Sequence, residues 1–211
     1  MAELSFFYGT MNCGKSTLAL QMAYNAVQSG KRVRLYTRLD RAGGVISSRI
    51  GLEQPARQVH DNLDLFLDVR EAIASGTRVD LLICDETQFY STAHVDQLAD
   101  VVDELDVDVL AFGLLSDFTT HLFEGSARML ELADRRQELQ VEARCWCGAR
   151  GTHNARTIDG NIQRSGETVV VGDLDQLTID GPGDVAYEVL CRRHHRAGTT
   201  AGSPSPDQAV H

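Results

Sequence analysis

The stretch Gly9-Thr10-Met11-Asn12-Cys13-Gly14-Lys15-Ser16-Thr17 constrains this chain more than any other. It fits G-x-x-x-x-G-K-[ST] and stands between the apolar run Leu4-Ser5-Phe6-Phe7-Tyr8 and a helical pattern that opens near Thr17. A loop of this kind leaves a buried strand and curls so that successive N–H groups face phosphate oxygens. It then enters a helix whose N-terminus adds partial positive charge. Gly9 to Thr17 is therefore read as an ATP-binding loop. Lys15 is expected to reach the β- and γ-phosphates as a point charge, and Ser16 to place its hydroxyl on Mg²⁺. Cys13 needs to contribute only its backbone amide.

Strand-like and helix-like segments alternate through the first 140 residues. Arg32 to Tyr36, Val79 to Cys84 and Val107 to Leu114 read as strands. Helices are expected after Thr17 with Gly30 as a stop, around Asp64 to Ala74, around Val95 to Val102, and from Ser126 to Leu139. This order implies an α/β fold: a mainly parallel sheet of the P-loop NTPase type with flanking helices over 1–140. Past residue 141 Gly, Thr, Arg and Asp increase and cysteines cluster. A small zinc-binding unit is expected over 141–196, and a disordered Gly/Ser/Thr/Pro-rich tail over 197–211.

Thirty acidic against twenty basic residues give a formal charge of −10, which argues against a nucleic-acid or anionic-membrane partner. Arg192, Arg193 and Arg196 form only a local basic cluster. No apolar run approaches the roughly 20 residues of a membrane helix. The opening MAELSFFYG lacks the features of a signal peptide. Five cysteines, an odd number clustered late, suit a reducing compartment and a metal site better than a disulfide framework.

Asp85-Glu86 follows the strand that ends at Cys84. A carboxylate at the C-terminal end of a strand, opposite a phosphate loop, suits Mg²⁺, directly or through water. Glu86 can take a proton from an attacking hydroxyl as general base, or orient a water as in a motor ATPase. Cys145-Trp146-Cys147 and Cys191-Arg192-Arg193-His194 suit a tetrahedral Cys₃His zinc site of structural type, with His195 a competing ligand.

Taken together, these residues resemble the zinc-containing P-loop thymidine kinases, the type found in bacteria and as the cytosolic enzyme of animals. The resemblance runs in order through the phosphate loop, Asp40-Arg41 with Ser47 to Gly51, Asp85-Glu86-Thr87-Gln88-Phe89, Gly113 to Phe118 with Phe123, the cysteine/histidine pairs, and Tyr187 four before Cys191. It implies ATP-dependent phosphorylation of the 5′-hydroxyl of thymidine or deoxyuridine, with Glu86 as the base and Gln88 on the ATP side. It implies that Phe89, Leu114, Phe118 and Tyr187 wall the thymine, with Phe123 nearby. It further implies that a loop at about Thr168 to Gly172, including Val170, Val171 and Gly172, grips the base through its backbone. Under the same resemblance Arg41 and Lys15 are expected to steady the migrating phosphoryl group. It also implies a cytoplasmic homotetramer with feedback inhibition by thymidine triphosphate. Asp173 to Ala186 reads as an extra surface loop.

Overall fold

Strand β1, Leu4–Gly9, starts with four consecutive buried residues, which an α/β sheet covered on both faces requires. The computed structural model describes residues 1–38, 44–139, 141, 143–166 and 185–203. They group into two units. The first takes Met1–Gly9, Cys13–Leu115 and Leu122–Val141. The second takes Thr10–Asn12, Ser116–His121 and the described residues from 143 on.

In the first unit β1 is followed by α1, Lys15–Gln28, and β2, Val33–Thr37. A short hairpin follows, β3 Val45–Ser47 with β4 Glu53–Pro55, and then β5, Arg57–Gln58. Next come α2 Leu65–Ala74, β6 Leu81–Cys84, a 3-10 turn at Thr87–Phe89, and α3 Thr92–Leu105. The unit closes with β7 Asp108–Leu114, α4 Glu124–Leu132 and β8 Arg135–Glu138. Six strands form one parallel sheet in the order β5-β2-β6-β7-β1-β8.

Successive β1 residues face opposite ways, and both faces are apolar. Phe6 joins a core with Val69, Leu98, Val109 and Met129. Phe7 joins another with Ala19, Ala23, Ile83 and Phe112, stacking on Phe112 at 4.9 Å between ring centroids. A polar set ties β2 to its flank: the Tyr36 hydroxyl donates to Asp68 Oδ2 at 2.7 Å, and Arg57 pairs with Asp68 at 2.7 Å.

Helix ends follow their capping residues. Asp64 caps α2 by accepting from Leu67 N–H at 2.8 Å, and Ser91 with His94 forms a reciprocal capping box on α3. Helix α1 differs: its N-cap is Gly14, at φ 79°, with no side-chain cap. That leaves the first-turn N–H groups without a capping side chain, as an anion site needs.

In the second unit β9 His153–Ile158 pairs antiparallel with β10 Asn161–Ile162 and with β11 Val185–Leu190, and α5 Arg192–Ala197 follows. Its apolar core is Cys145, Ala155 and Leu190, with Ile162 and Cys191 packed against it.

Three expectations need correction. The helix expected over Ser126–Leu139 ends at Leu132, and Arg135–Glu138 is an exposed edge strand parallel to β1. Its residues favour a helix locally, but pairing with the open edge of β1 satisfies the backbone. Val185 and Ala186, expected in a loop, pair with Ile158 and Thr157. The chain just past residue 197 is also fixed: Thr200 is buried, and its hydroxyl donates to the Gly160 carbonyl at 2.9 Å. No helix among the described residues is long and apolar enough to cross a membrane.

Candidate active site and metal cluster

The C-terminal end of β6 carries the acids. Asp85 is 3% exposed, and its carboxylate accepts from the Ser16 hydroxyl and from the Glu86 N–H, the latter at 3.0 Å. Burial, and then the Glu86 charge, push Asp85 above the usual carboxylate range, while Ser16 and the Lys15 ammonium pull the other way. A buried carboxylate beside a hydroxyl fits a hard divalent cation, whose charge would offset the desolvation of Asp85. Lys15 is buried, with Nζ 3.8 Å from Cys13 Sγ.

Glu86 sits at φ 55°, ψ 34°, a left-handed conformation uncommon for a side chain with a Cβ. Strain of this kind is retained where surrounding contacts over-determine it. Here Gln88 Nε2 donates to Glu86 Oε2, and Gln88 Oε1 accepts from Leu114 N–H at 2.9 Å. The Thr87 hydroxyl donates to the Phe112 carbonyl at 3.0 Å. Helix α4 crosses this turn so closely that a Cβ on Gly125 would collide with the carbonyl oxygens of Thr87 and Tyr90. Phe89 meets Phe123 edge-on at 5.6 Å. The first unit thus gathers Ser16, Lys15, Asp85, Glu86 and Gln88, with Phe89, Leu114 and Phe123 on the turn and its neighbours.

In the second unit Phe118 is 4% exposed, and the Arg156 guanidinium lies 5.6 Å from its ring centre. Tyr187 is half-buried and pairs in register with Arg156. Burial raises its hydroxyl pKa, and the Arg156 charge opposes that rise. The loop that carries Phe118 is organised by Asp117, whose Oδ1 accepts from Thr119 N–H and Oγ1, both at 2.8 Å, and from His121 N–H at 3.0 Å. Arg41, Val170, Val171 and Gly172 lie outside the described residues.

Cys145, Cys147, Cys191 and His194 bring their ligand atoms within 4.8 Å of one another. Tetrahedral zinc with bonds of about 2.3 Å to sulfur needs donor spacings of roughly 3.8 Å, so this set can hold a metal ion. The His194 N–H lowers the Cys191 thiol below its ordinary value, while burial raises Cys145. Trp146 stacks on His194 at 4.2 Å. His195, weighed as a competing ligand, turns elsewhere. It is 2% exposed, Nε2 donates to the Phe118 carbonyl at 3.0 Å, and Nδ1 faces Arg164 Nη1 at 3.3 Å. Burial keeps its pKa below the usual histidine value, which suits that neutral tautomer.

Sequence reasoning gave no role to Arg156, Asp117 or Asn154. Asn154 accepts the Met11 N–H at 2.9 Å, so this loop amide is committed within the protein rather than open to phosphate. No spacing rule marks an asparagine in a strand for such a task.

The fold and site define a nucleotide-binding α/β protein of the phosphate-loop class, with a cysteine-rich cluster in its second unit. The chain belongs to the thymidine kinase family, whose model matches residues 2–195. It is 54% identical to a thymidine kinase of Streptomyces coelicolor, over 98% of this chain and 97% of that protein. It is 53% identical to one of Cutibacterium acnes over 95% and 91% respectively, and 39% identical to one of Salmonella typhimurium over 100% and 98%. Among solved structures, the Pif1 helicase of Candida albicans is similar over 65% of this chain and 36% of its own, at 16% identity and a TM-score of 0.41.

Proposed function

We propose that this chain transfers the γ-phosphoryl group of ATP to the 5′-hydroxyl of thymidine, and of deoxyuridine, in pyrimidine deoxynucleoside salvage. The observation that carries this reading is Glu86, held by Gln88 next to the buried Asp85–Ser16 pair, in a chain with full-length likeness to thymidine kinases. The 5′-oxygen attacks the γ-phosphorus while its proton passes to Glu86. The bond from that phosphorus to the bridging oxygen breaks, and ADP leaves. The amides of the Gly9 to Thr17 loop, apart from that of Met11, which Asn154 holds, would cradle the phosphates together with Lys15. Ser16 and Asp85 would hold Mg²⁺, which when bound offsets charge on the phosphate oxygens.

Thymine would lie against Phe89, Leu114, Phe118, Phe123 and Tyr187, with the backbone of Val170 to Gly172 pairing its edge. Apolar walls with a few polar groups are the usual make-up of such a site. Arg41 would steady the phosphoryl group. Zn²⁺ on Cys145, Cys147, Cys191 and His194 would be structural. A cytoplasmic homotetramer acting on small molecules, and on neither nucleic acid nor membrane, completes the proposal. Five cysteines without a disulfide suit that compartment.

The test is ADP release from ATP and Mg²⁺ with a panel of thymidine, deoxyuridine, deoxycytidine and uridine. Turnover is expected with the first two and little without a nucleoside. ADP formed equally fast with and without thymidine would make the chain an ATPase. A cytidine preference would overturn the substrate alone.

A further inference from the structure

Asn154 lies in β9, is 4% exposed, and uses both ends of its amide. Oδ1 accepts the Met11 N–H at 2.9 Å, and Nδ2 donates to the Ser116 carbonyl at 3.1 Å. One partner is a pure donor and the other a pure acceptor, so the amide has one productive orientation. All three residues belong to the second unit. Met11 sits in the phosphate loop, between Gly9 and Lys15. Ser116 opens the loop that carries Phe118.

That second loop behaves as a block. Asp117 ties Thr119 and His121 to itself, and Asp117 N–H donates to the His121 carbonyl at 2.9 Å. His195 holds the Phe118 carbonyl. A block with so many internal bonds moves as a whole, so one bond at Ser116 registers all of it. Met11 is also buried, and its N–H would be costly to leave unpaired. We propose that Asn154 is a positioning residue that sets the register between the Thr10–Asn12 arm of the phosphate loop and the Phe118 loop. One side chain then tunes both the ATP and the nucleoside affinity. This rests on the kinase reading given above.

The two ends of the amide can be separated. Asn154→Asp keeps an acceptor for Met11 N–H but sets an oxygen against the Ser116 carbonyl. Asn154→Leu removes both bonds. The aspartate variant should raise the thymidine KM about fivefold or more with the ATP KM changed less than about twofold, whereas the leucine variant should raise both about fivefold, the scale of one net hydrogen bond at each end. Both variants shifting the two KM values alike, or lowering Tm with both values unchanged, would overturn the proposal and leave Asn154 a structural residue. Amide exchange on the unliganded wild-type chain gives a second reading that needs no turnover. The Met11 N–H should be protected, and a Met11 amide that exchanges as freely as an exposed loop overturns the proposal even if thymidine is phosphorylated. Protection at Met11 in a chain that ignores thymidine would sink the kinase reading and spare the bond itself.

Discussion

The two units are held together by different means. The first buries whole side chains on both faces of a parallel sheet, with Phe6, Leu82, Leu98, Val109 and Phe112 at 0% exposure. Among the described residues, the second has a buried apolar cluster of Cys145, Ala155 and Leu190. It replaces burial with side chains that bind the backbone at a distance: Asn154 to Ser116, His195 to Phe118, Arg164 to His195, and Thr200 to Gly160. So small a core is below what hydrophobic burial alone stabilises. A metal ion, which the cysteine/histidine cluster could hold, would supply cross-links that such an interior lacks.

The largest break is therefore chelation, or Cys191→Ser. Structural zinc contributes about 10–16 kcal/mol of apparent binding energy in small zinc peptides. Amide protection should disappear from β9 and β11 while β1, β6 and β7 keep theirs. Simultaneous loss in both units, or in neither, breaks the comparison. The next effect concerns chemistry rather than order. Glu86→Gln should slow turnover by roughly 10²–10⁴-fold with ATP binding, thymidine binding and metal content unchanged. Binding lost along with turnover would make Glu86 a structural residue. Third, Phe112→Ala should cost about 3–5 kcal/mol, the range for deleting a buried aromatic. Urea unfolding should report that loss in the first unit while metal content stays at the wild-type level. A fall in metal content would mean the two units share their stability.

The same contrast explains what could be read in advance. Strands β1, β6 and β7 are buried on both faces, so they appear as continuous apolar runs, and helices α1 and α3 show their faces by period. Strand β8 carries no such mark. All four of its side chains are exposed, and only the unpaired edge of β1 makes it a strand. The phosphate loop, Asp85-Glu86 and the cysteine/histidine pairs were legible because their chemistry demands particular residue types at fixed spacing. Asn154 and Arg156 were not. Each acts through backbone or ring contacts brought together by the tertiary fold, and any polar residue would have looked the same in the sequence, whereas Asp117 stood out as part of the Gly113 to Phe118 stretch but without its task of tying Thr119 and His121. The left-handed Glu86 was equally hidden, since a local sequence carries no sign of the Gln88 contact that holds it.

The smallest effect sharpens the comparison from inside the first unit, at one of its few buried polar joints. His94 is the third residue of α3 and 2% exposed. Its Nδ1 accepts from the Ser91 N–H at 3.3 Å, while the ring also bonds to the Leu63 and His60 carbonyls. Those roles fix the neutral ring with its proton on Nε2. Burial and then the Arg38 charge lower its pKa, and a helix N-terminus also disfavours a cation there. The folded pKa thus lies below the unfolded value of about 6.5. The unfolded chain binds the proton more readily, so His94 contributes fully above about pH 6.5, and that contribution declines as pH falls through the unfolded value toward the folded one. His94→Gln keeps a side chain able to complete the capping box but does not titrate. First-unit stability should then fall less steeply between about pH 7 and 5 than in the wild type, whereas Ser91→Ala should cost about 1 kcal/mol at every pH. Parallel pH curves for wild type and His94→Gln would show that this histidine is not one of the joints through which acid reaches an otherwise apolar core.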